Sequence, residues 1–458
     1  MSAHLEFLSV RPAWEDSHIE SDINFFKGGS IMEEKKFWKE EVETMPMDEM
    51  RKLQEKRLQS LVARAYEKSA VYKRKFDEVG VKPSDINTLD DIVKIPLTDD
   101  VKDIRNATFE EKLAVPFSEI KMFHSTSGTT TGIPEPIPYT ANDVKAFFEG
   151  ESRGRWTMGA RPHDVVQILT GFDCCHRGYT EMGATCLLLS AGRGFIDKQI
   201  SLTQTAGVTI IEHMPSLMLK YFERAMELGF DVRKSKLRYV SGVGEGWAES
   251  YKKKVEQDYG LPFKTLWGSV ELGVASAECE ERNGMHIFSD LVYLEILDPE
   301  TGAPLPDGEE GEVVVTALLM NEAFPLIRYK VGDVSKILPY EPCACGRTHP
   351  RMLPIKGRIS QIVKVTDKKV MPLDIEEVMA SIDGLAENYQ IVLDKPGELE
   401  RLKVKMEYKS GVTDLSALRS RVEETIHNNL GVESEIELLE IGSIVSETFK
   451  AQRIIKTY

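Results

Sequence analysis

The feature that most constrains the fold is an alternation of short β-rich runs with helical segments between residues 164 and 330. Runs such as DVVQILT, GVTIIEHM and FKTLWGS are separated in several places by helical stretches, among them PSLMLKYFERAMELG and GWAESYKKKVEQDYG. Strands that alternate with helices favour parallel sheets in layered α/β packing. We therefore predict a large N-terminal domain of layered α/β sheets over residues 1–356.

The pattern changes after about residue 356, where short strand-like runs surround two helical segments. The second of these is well defined, because Leu415, Leu418, Val422 and Ile426 share one helical face and Gly431 is a typical helix stop. We predict that residues 357–458 form a small, mobile α+β domain.

Composition excludes several classes of function. The net charge of −16 argues against sequence-independent nucleic-acid binding and against docking on an anionic membrane. The chain contains no apolar run near the ~20 residues that span a bilayer, and its N-terminus has no signal-peptide core. The expectation is a cytoplasmic protein with neither nucleic-acid nor membrane partners. Homodimer formation remains open at this point.

The segment FHSTSGTTTGIPEPIPYT, residues 123–140, is rich in hydroxyl side chains and glycine. Backbone N–H groups in a glycine turn can form a concave anion nest, to which flanking hydroxyls add donors. The segment is therefore either a phosphate-binding loop or a solvated Ser/Thr/Gly loop. It is not a P-loop, because Ile133 and Pro134 stand where a lysine would follow the second glycine. A phosphate site here would need its cation from elsewhere in the chain.

Four more segments carry charged residues in turns or at strand ends. They are LWGSVELG with Glu271, LIRYKVGDVSKI with Asp333, IKGRISQIVKV with Arg358 and SETFKAQRIIK with Lys450. Each alone is explained by a strand-end carboxylate, an Asx turn, a linker cation or a solvated tail lysine. Taken together and in their order along the chain, these four segments and the segments HSTSGTTTGIP, GVGEGWAE and CGRTHPRM resemble those of the adenylate-forming acyl- and aryl-CoA ligases. The resemblance is closest to the phenylacetate–CoA ligase group.

That resemblance implies activation of an aromatic carboxylic acid with ATP and Mg²⁺, then transfer of the acyl group from AMP to coenzyme A. It implies that Lys450 and Glu271 are catalytic, and that Glu271 is also the Mg²⁺ carboxylate. Asp333 would accept the ribose hydroxyls, Arg358 would reach ribose or phosphate, and Trp267 would stack on adenine. The ATP/AMP-binding residues it implies are Ser127, Gly128, Thr129, Thr130, Thr131, Gly132, Gly244, Glu245, Trp267, Gly268, Asp333 and Arg358.

Two alternatives stay open beside an aryl-CoA ligase acting in aromatic acid degradation. The resembled family has a pair of Asp residues at the hinge that follows the arginine, and this chain has Ser360 and Gln361 there instead. The altered hinge allows a ligase that passes its acyl group to an amine or a carrier protein. A catalytically weak nucleotide-binding regulator of the same fold is the third reading.

The segment LTGFDCCHRGYTEMG corresponds to the acyl-pocket wall of the resembled family. Phe172 and Tyr179 favour a planar aromatic guest, whereas Asp173 and His176 suit a second polar group on it. A solvent-facing loop end is the competing interpretation.

Cys279, His286, Cys343 and Cys345 lie in the turn-rich segments ECEERNGMH and EPCACG. Three thiolates and an imidazole suit a tetrahedral structural Zn²⁺ site, with His349 as an alternative ligand. Reduced thiols without a metal are the competing interpretation, because the spacings are not those of standard zinc fingers.

Overall fold

The N-terminal part of the chain is helical up to a short hairpin. The computed structural model describes residues 35–126, 133–170, 174–188, 195–444 and 452–458. The first elements are α1 (Glu40–Glu43), α2 (Met47–Lys68), α3 (Ala70–Val79), α4 (Phe109–Lys112), β1 (Met122–Ser125) and β2 (Pro136–Tyr139). Strands β1 and β2 pair antiparallel on either side of the Ser/Thr/Gly segment.

A large sheet follows, with helices on both faces. Its strands are β3 (Val165–Ile168), β4 (Thr185–Leu188), β5 (Ile210–His213), β6 (Tyr239–Gly242), β7 (Phe263–Ser269), β8 (Gly273–Glu278) and β9 (Met285–Ile287). The helices between or before them are α5 (Ala141–Thr157), α6 (Cys175–Thr180), α7 (Ile196–Ala206), α8 (Pro215–Glu227) and α9 (Glu249–Tyr259). Helix α8 begins at Pro215, whose fixed φ suits the first helical position.

Only part of this sheet has the predicted parallel arrangement. Strands β4, β3, β5, β6 and β7 are parallel neighbours in that order. Beyond β7 the order continues through β8 and β9 to β13 (Arg351–Met352), and these pairs are antiparallel. The change occurs because a tight turn joins β7 directly to β8, leaving no room for a crossover helix.

Helix α5 packs tightly against β8. A Cβ atom on Gly150 would lie 2.5 Å from the Val274 carbonyl oxygen, so only glycine allows this approach.

A second sheet contains β10 (Val292–Leu297), β11 (Gly311–Ala317), β12 (Tyr329–Ser335) and β14 (Gly357–Arg358), in that order. All its pairs are antiparallel. The runs VYLEIL and EVVVTAL therefore form neighbouring antiparallel strands, and the expectation of parallel pairing does not extend to them.

The C-terminal part has its own hydrophobic core and a four-stranded sheet of order β19–β18–β17–β20. Its elements are β15 (Val363–Val365), β16 (Lys368–Val370), α10 (Pro372–Ala380), β17 (Leu385–Leu393), β18 (Leu402–Tyr408), α11 (Leu415–Leu430), β19 (Ser434–Glu440) and β20 (Ile454–Lys456). Helix α11 begins at an Asp414 cap. It ends at Gly431 with φ of +68°, as its sequence predicts. The prediction of a large layered α/β domain with a small α+β domain is confirmed, while the boundary at 356/357 stays a prediction.

Within the described part of the chain, no helix combines the length and the apolar composition needed to cross a membrane.

The small domain packs against the large one through α10, α9 and the end of β17. Glu387 lies at this contact, where burial raises the pKa of its carboxyl to about 7. The Glu223 carboxylate raises this pKa further, and Lys220, Arg453 and Lys409 oppose the shift. The folded chain therefore binds this proton more tightly than the unfolded chain does.

We predict that Glu387 makes the fold less stable as the pH rises from about 4.5 to about 7, the window between its unfolded and folded pKa values. Glu387→Gln stays neutral, so its melting temperature should rise relative to the parent chain as the pH goes from 5 to 8. Differential scanning calorimetry at several pH values tests this. Glu424→Gln, an exposed carboxylate on α11, is the control and should follow the parent chain at every pH. A constant offset for Glu387→Gln would contradict the prediction.

Candidate functional site

The carboxyl ends of β5, β6 and β7 meet at one edge of the large sheet. His213 is opposite Gly242, and Gly242 is opposite Thr265. Ligands of open α/β sheets bind at this kind of edge. Gly244 and Glu245 follow β6 there, and Gly244 turns the chain with a φ of +83°. The Glu245 carboxylate accepts a hydrogen bond from the Ser216 N–H at the start of α8, 3.2 Å away.

Asp333 connects the two sheets of the large domain. Its Oδ2 accepts a hydrogen bond from Trp267 Nε1 at 2.9 Å, and its Oδ1 accepts one from Arg358 Nε at 3.1 Å. The second contact follows from strand register, because Asp333 is directly opposite Arg358 in the β12–β14 pair. The structure thus brings together three residues that are far apart in the sequence.

Trp267 and Gly268 lie at the end of β7. The Trp267 side chain is only 5% exposed, so little of its ring is open to a ligand, and its stacking on adenine stays a prediction. At Gly268 a Cβ atom would lie 2.1 Å from the Gly273 carbonyl oxygen. The close pairing of β7 with β8 therefore requires glycine at this position.

Glu271 lies in the turn between β7 and β8. Its backbone carbonyl accepts a hydrogen bond from Asn321 Nδ2 at 2.9 Å, which fixes the turn. Burial raises the pKa of the Glu271 carboxyl; the Asp100 carboxylate adds to this shift, and Arg358 opposes it. A carboxyl in such a setting gains from a nearby cation.

The Ser/Thr/Gly hairpin contacts the Glu271 turn through Tyr139, whose hydroxyl donates to the Val270 carbonyl. Thr126 and Glu135 close the hairpin, with Thr126 N–H donating to the Glu135 carbonyl at 3.0 Å. Residues 127–132, the predicted phosphate loop from Ser127 to Gly132, lie outside the described residues. Of their two flanks, β2 contacts the turn that carries Glu271, through Tyr139.

Two further residues at this site were missed by sequence reasoning. Asp100 accepts hydrogen bonds from the Tyr329 hydroxyl at 3.2 Å and from Arg105 Nε at 2.8 Å. Arg105 also donates to the Ile133 carbonyl at 2.7 Å, beside the predicted phosphate loop. No local pattern identifies Asp100, because its relation to Glu271 exists only in the folded chain.

The predicted acyl-pocket residues are only partly described. Phe172 and Asp173 lie outside the described residues, and His176 is half-buried at the start of α6. Tyr179 is fully buried, and its hydroxyl donates to Glu212 Oε2 at 2.9 Å. Glu212 is also paired with Arg155 at 2.7 Å, so Tyr179 belongs to a buried ionic network.

Lys450 lies outside the described residues. Arg453, which follows it in the chain, is described and largely buried.

Cys279, His286, Cys343 and Cys345 form one cluster, in which all four potential ligand atoms lie within 4.8 Å of one another. The sulfur atoms of Cys279 and Cys343 are 3.7 Å apart, and Cys345 Sγ is 3.3 Å from His286 Nε2. Ligand sulfurs around a tetrahedral zinc ion would be about 3.8 Å apart, given Zn–S distances near 2.3 Å. The donor set and its spacing therefore fit zinc.

The surroundings of the cluster also suit a metal. His286 Nδ1 lies 3.1 Å from the His349 carbonyl oxygen, which assigns the ring proton to Nδ1 and leaves Nε2 free to coordinate. His349 itself is outside the cluster, and its Nε2 faces the Val42 carbonyl at 2.8 Å. The buried pair Arg347–Glu43, at 2.7 Å, ties the same segment to α1.

Comparison with known families gives two matches. Residues 47–320 match the family described as AMP-binding enzyme, and residues 368–457 match the AMP-binding enzyme C-terminal domain. The phenylacetate-coenzyme A ligase of Thermus thermophilus is 35% identical over 442 residues, which cover 91% of this chain and 98% of that protein.

A crystal structure of 2-hydroxyisobutyryl-CoA ligase in the postadenylation state, in complex with R3-HIB-AMP, matches with a TM-score of 0.85 and 27% identity, over 93% of each chain. The same enzyme in complex with 2-HIB-AMP and CoA, in the thioesterification state, matches with a TM-score of 0.68 and 28% identity, over 92% of each chain. The arrangement of this chain is thus closer to that of the postadenylation structure.

We predict that Trp267→Phe destabilises the fold by about 1–2 kcal/mol, because the buried Asp333 carboxylate loses one donor while a smaller aromatic ring is retained. The midpoint of urea unfolding monitored by circular dichroism measures this. Trp247→Phe is the matched control, because the indole N–H of Trp247 has no hydrogen bond to a described residue in the structure. Equal losses in the two variants would mean that ring packing, rather than the hydrogen bond, determines the effect.

Proposed function

This chain belongs to the AMP-binding enzyme family, and from that premise we propose that it is an AMP-forming acid–CoA ligase acting on an aromatic carboxylic acid. The acid would react with ATP to give an acyl-adenylate and pyrophosphate. The thiol of coenzyme A would then displace AMP to give the thioester.

The observation that carries the proposal is the carboxylate of Asp333, held between Trp267 and Arg358 beside the Glu271 turn. An acceptor fixed in this way suits the two hydroxyls of a ribose, because each carboxylate oxygen keeps a lone pair for a further donor. Gly244 and Glu245 would form one wall of the adenine site and Trp267 the other.

The phosphates would be bound by residues 127–132, whose flanking strand β2 contacts the Glu271 turn. Attack of the acid on the α-phosphorus builds negative charge on the departing pyrophosphate, which requires donors and cations. Lys450 of the small domain would supply the cation that the loop lacks. The small domain, proposed to begin at residue 357, would bring it in for this step.

Glu271 would hold Mg²⁺ through its carboxylate, in keeping with the preference of magnesium for one or two carboxylates plus phosphate oxygens. Such an ion supplies positive charge to the phosphate groups. Because burial raises the pKa of Glu271, protonation would compete with the metal. The Mg²⁺ requirement should therefore increase as the pH falls.

Aromatic specificity is supported by the identity with phenylacetate-coenzyme A ligases and by the residues of the α6 region. Phe172 and Tyr179 would border the ring of the acid, with Asp173 and His176 toward a polar substituent.

We also propose a structural Zn²⁺ on Cys279, His286, Cys343 and Cys345. The ion would join the segment after β8 to the segment before β13, and through Arg347 and Glu43 it would support α1. Among the described residues, the cluster contacts none of those proposed to bind the nucleotide, so we assign it to stability.

The test of function is a panel of aromatic acids, with and without ring substituents, assayed for ATP–pyrophosphate exchange and for AMP release with and without coenzyme A. We expect at least one acid to support exchange and to release AMP faster with coenzyme A. Exchange without a response to coenzyme A would favour an amine or carrier-protein acceptor. Nucleotide binding without exchange would make the protein a regulator.

Lys450→Ala provides the control for this assay. We expect exchange to fall by about a hundredfold or more, because the lysine acts on the leaving pyrophosphate, whereas thioester formation from synthetic acyl-adenylate continues. Equal loss in the two half-reactions would contradict delivery of this lysine by a moving domain.

We predict about one zinc ion per chain by plasma mass spectrometry of protein purified without chelator. In the double variant Cys343→Ser, Cys345→Ser the metal should be lost and the melting temperature lowered, because the ligand set closes a long loop only when it is complete. Adenylation should persist at low temperature.

Cys186→Ser is the matched control for the thiol change, since Cys186 is half-buried and is not among the potential metal ligands of the described residues. Protein without any metal, or a double variant that keeps its zinc, would end the zinc proposal.

A further inference from the structure

A buried cation lies where the small domain meets the large one. Arg453 immediately precedes β20, and its side chain is 14% exposed. Its guanidinium pairs with Glu376 at 3.2 Å and stacks on the Tyr389 ring, with 4.4 Å between the guanidinium carbon and the ring centroid. The proposed chemistry uses neither Arg453 nor Glu376, although their pairing is specific and largely dry.

Glu376 also contacts the large domain. It lies on α10, which packs against α9 of the large domain, and the backbone of Ala248, just before α9, favours its ionised carboxylate. Glu245, three residues before Ala248, is close enough to act electrostatically on both Arg453 and Glu376. Arg453 therefore pairs with Glu376 of its own domain and is also attracted by Glu245 of the large domain, which borders the proposed adenine site.

The backbone of Arg453 is fixed as firmly as its side chain. Its carbonyl accepts a hydrogen bond from Ile391 N–H at 2.8 Å, and the next residue, Ile454, pairs with Ile391 in the parallel β17–β20 ladder. Lys450 lies only three residues before Arg453. Anchoring Arg453 thus restricts where the chain can present Lys450.

We propose that Arg453 and Glu376 form a positioning pair that holds the small domain against Ala248 and Glu245, in the arrangement used for adenylation. The inference rests on the proposed function and adds the contact that selects one arrangement of the domains. The contact spans both domains, so it must separate when the small domain takes up another arrangement for thioester formation. The greater similarity of this chain to the postadenylation structure than to the thioesterification structure agrees with this assignment.

The electrostatics explain why the contact can be strong and still reversible. A largely buried arginine between carboxylates is held by charge-assisted hydrogen bonds, which are stronger than neutral ones. Burial also raises the pKa of Glu376, and Arg453 opposes that shift. Separation of the domains would return Glu376 to water, which offsets part of the lost attraction.

The first experiment measures the two half-reactions separately in Glu376→Gln, Arg453→Ala and Arg453→Lys. Glu376→Gln retains the side-chain shape but loses the charge, and Arg453→Lys retains the charge but loses the planar fork. We expect ATP–pyrophosphate exchange to fall at least about tenfold in Glu376→Gln and Arg453→Ala, and less in Arg453→Lys. Conversion of synthetic acyl-adenylate with coenzyme A should stay within about twofold of the parent chain or increase.

Glu377→Gln is the matched control. Glu377 lies on the same helix and reaches the Ser250 N–H of the large domain at 3.4 Å, but it is exposed and does not pair with Arg453. The rate of ATP–pyrophosphate exchange in Glu377→Gln should stay within about twofold of the parent rate. Equal loss in both half-reactions, or an equal effect of Glu377→Gln, would overturn the proposal.

A second measurement is independent of activity. Hydrogen–deuterium exchange of peptides that cover residues 244–249 should become faster in Glu376→Gln and remain unchanged in Glu377→Gln, because the former weakens the cover over Ala248, whereas Glu377 faces Ser250. Unchanged hydrogen–deuterium exchange in Glu376→Gln would overturn the proposed pair even if no acid in the panel is activated. Faster hydrogen–deuterium exchange in that variant, with no acid activated by the parent chain, would support the contact and reject the proposed function.

Discussion

The contact on which the site depends is the carboxylate of Asp333, which is bound by Trp267 from the large sheet and by Arg358 from the neighbouring strand of the second sheet. A buried carboxylate is stable only when its oxygens are paired. The pairing therefore fixes the end of β7 relative to β12 and β14. The nucleotide site that we propose is built around this fixed point.

Negative charge dominates the surroundings of that point. Asp100 lies near Glu271 and contributes to the raised pKa of its carboxyl, while Arg358 opposes that shift and Arg105 pairs with Asp100. Adding a polyphosphate to such a site would be unfavourable without further cations. Magnesium on Glu271 and a lysine from elsewhere would supply them, which agrees with a loop that has no lysine of its own.

The sequence predicts those parts of the fold that local patterns determine. Helices α8 and α11 could be located from their apolar spacing, from Pro215 and from Gly431, because these signals act within one helix. The antiparallel half of the large sheet could not be predicted, because it depends on a tight turn between β7 and β8, whose strand patterns do not differ from those of the parallel strands. The meeting of Asp333 with Trp267 and Arg358 was expected only from an ordered set of motifs, and Asp100 was missed because it joins the site through tertiary packing alone.

A cation carried by a second domain differs physically from a cation built into the phosphate loop. A fixed lysine would continue to attract the nucleotide after pyrophosphate leaves, and would stabilise the ground states as well as the transition state. A lysine carried by the small domain, as we propose for Lys450, would be withdrawn when Arg453 and Glu376 part from Ala248 and Glu245. The proposed pair would therefore link the loss of the cation to the change of domain arrangement, so that one movement ends the first half-reaction and begins the second.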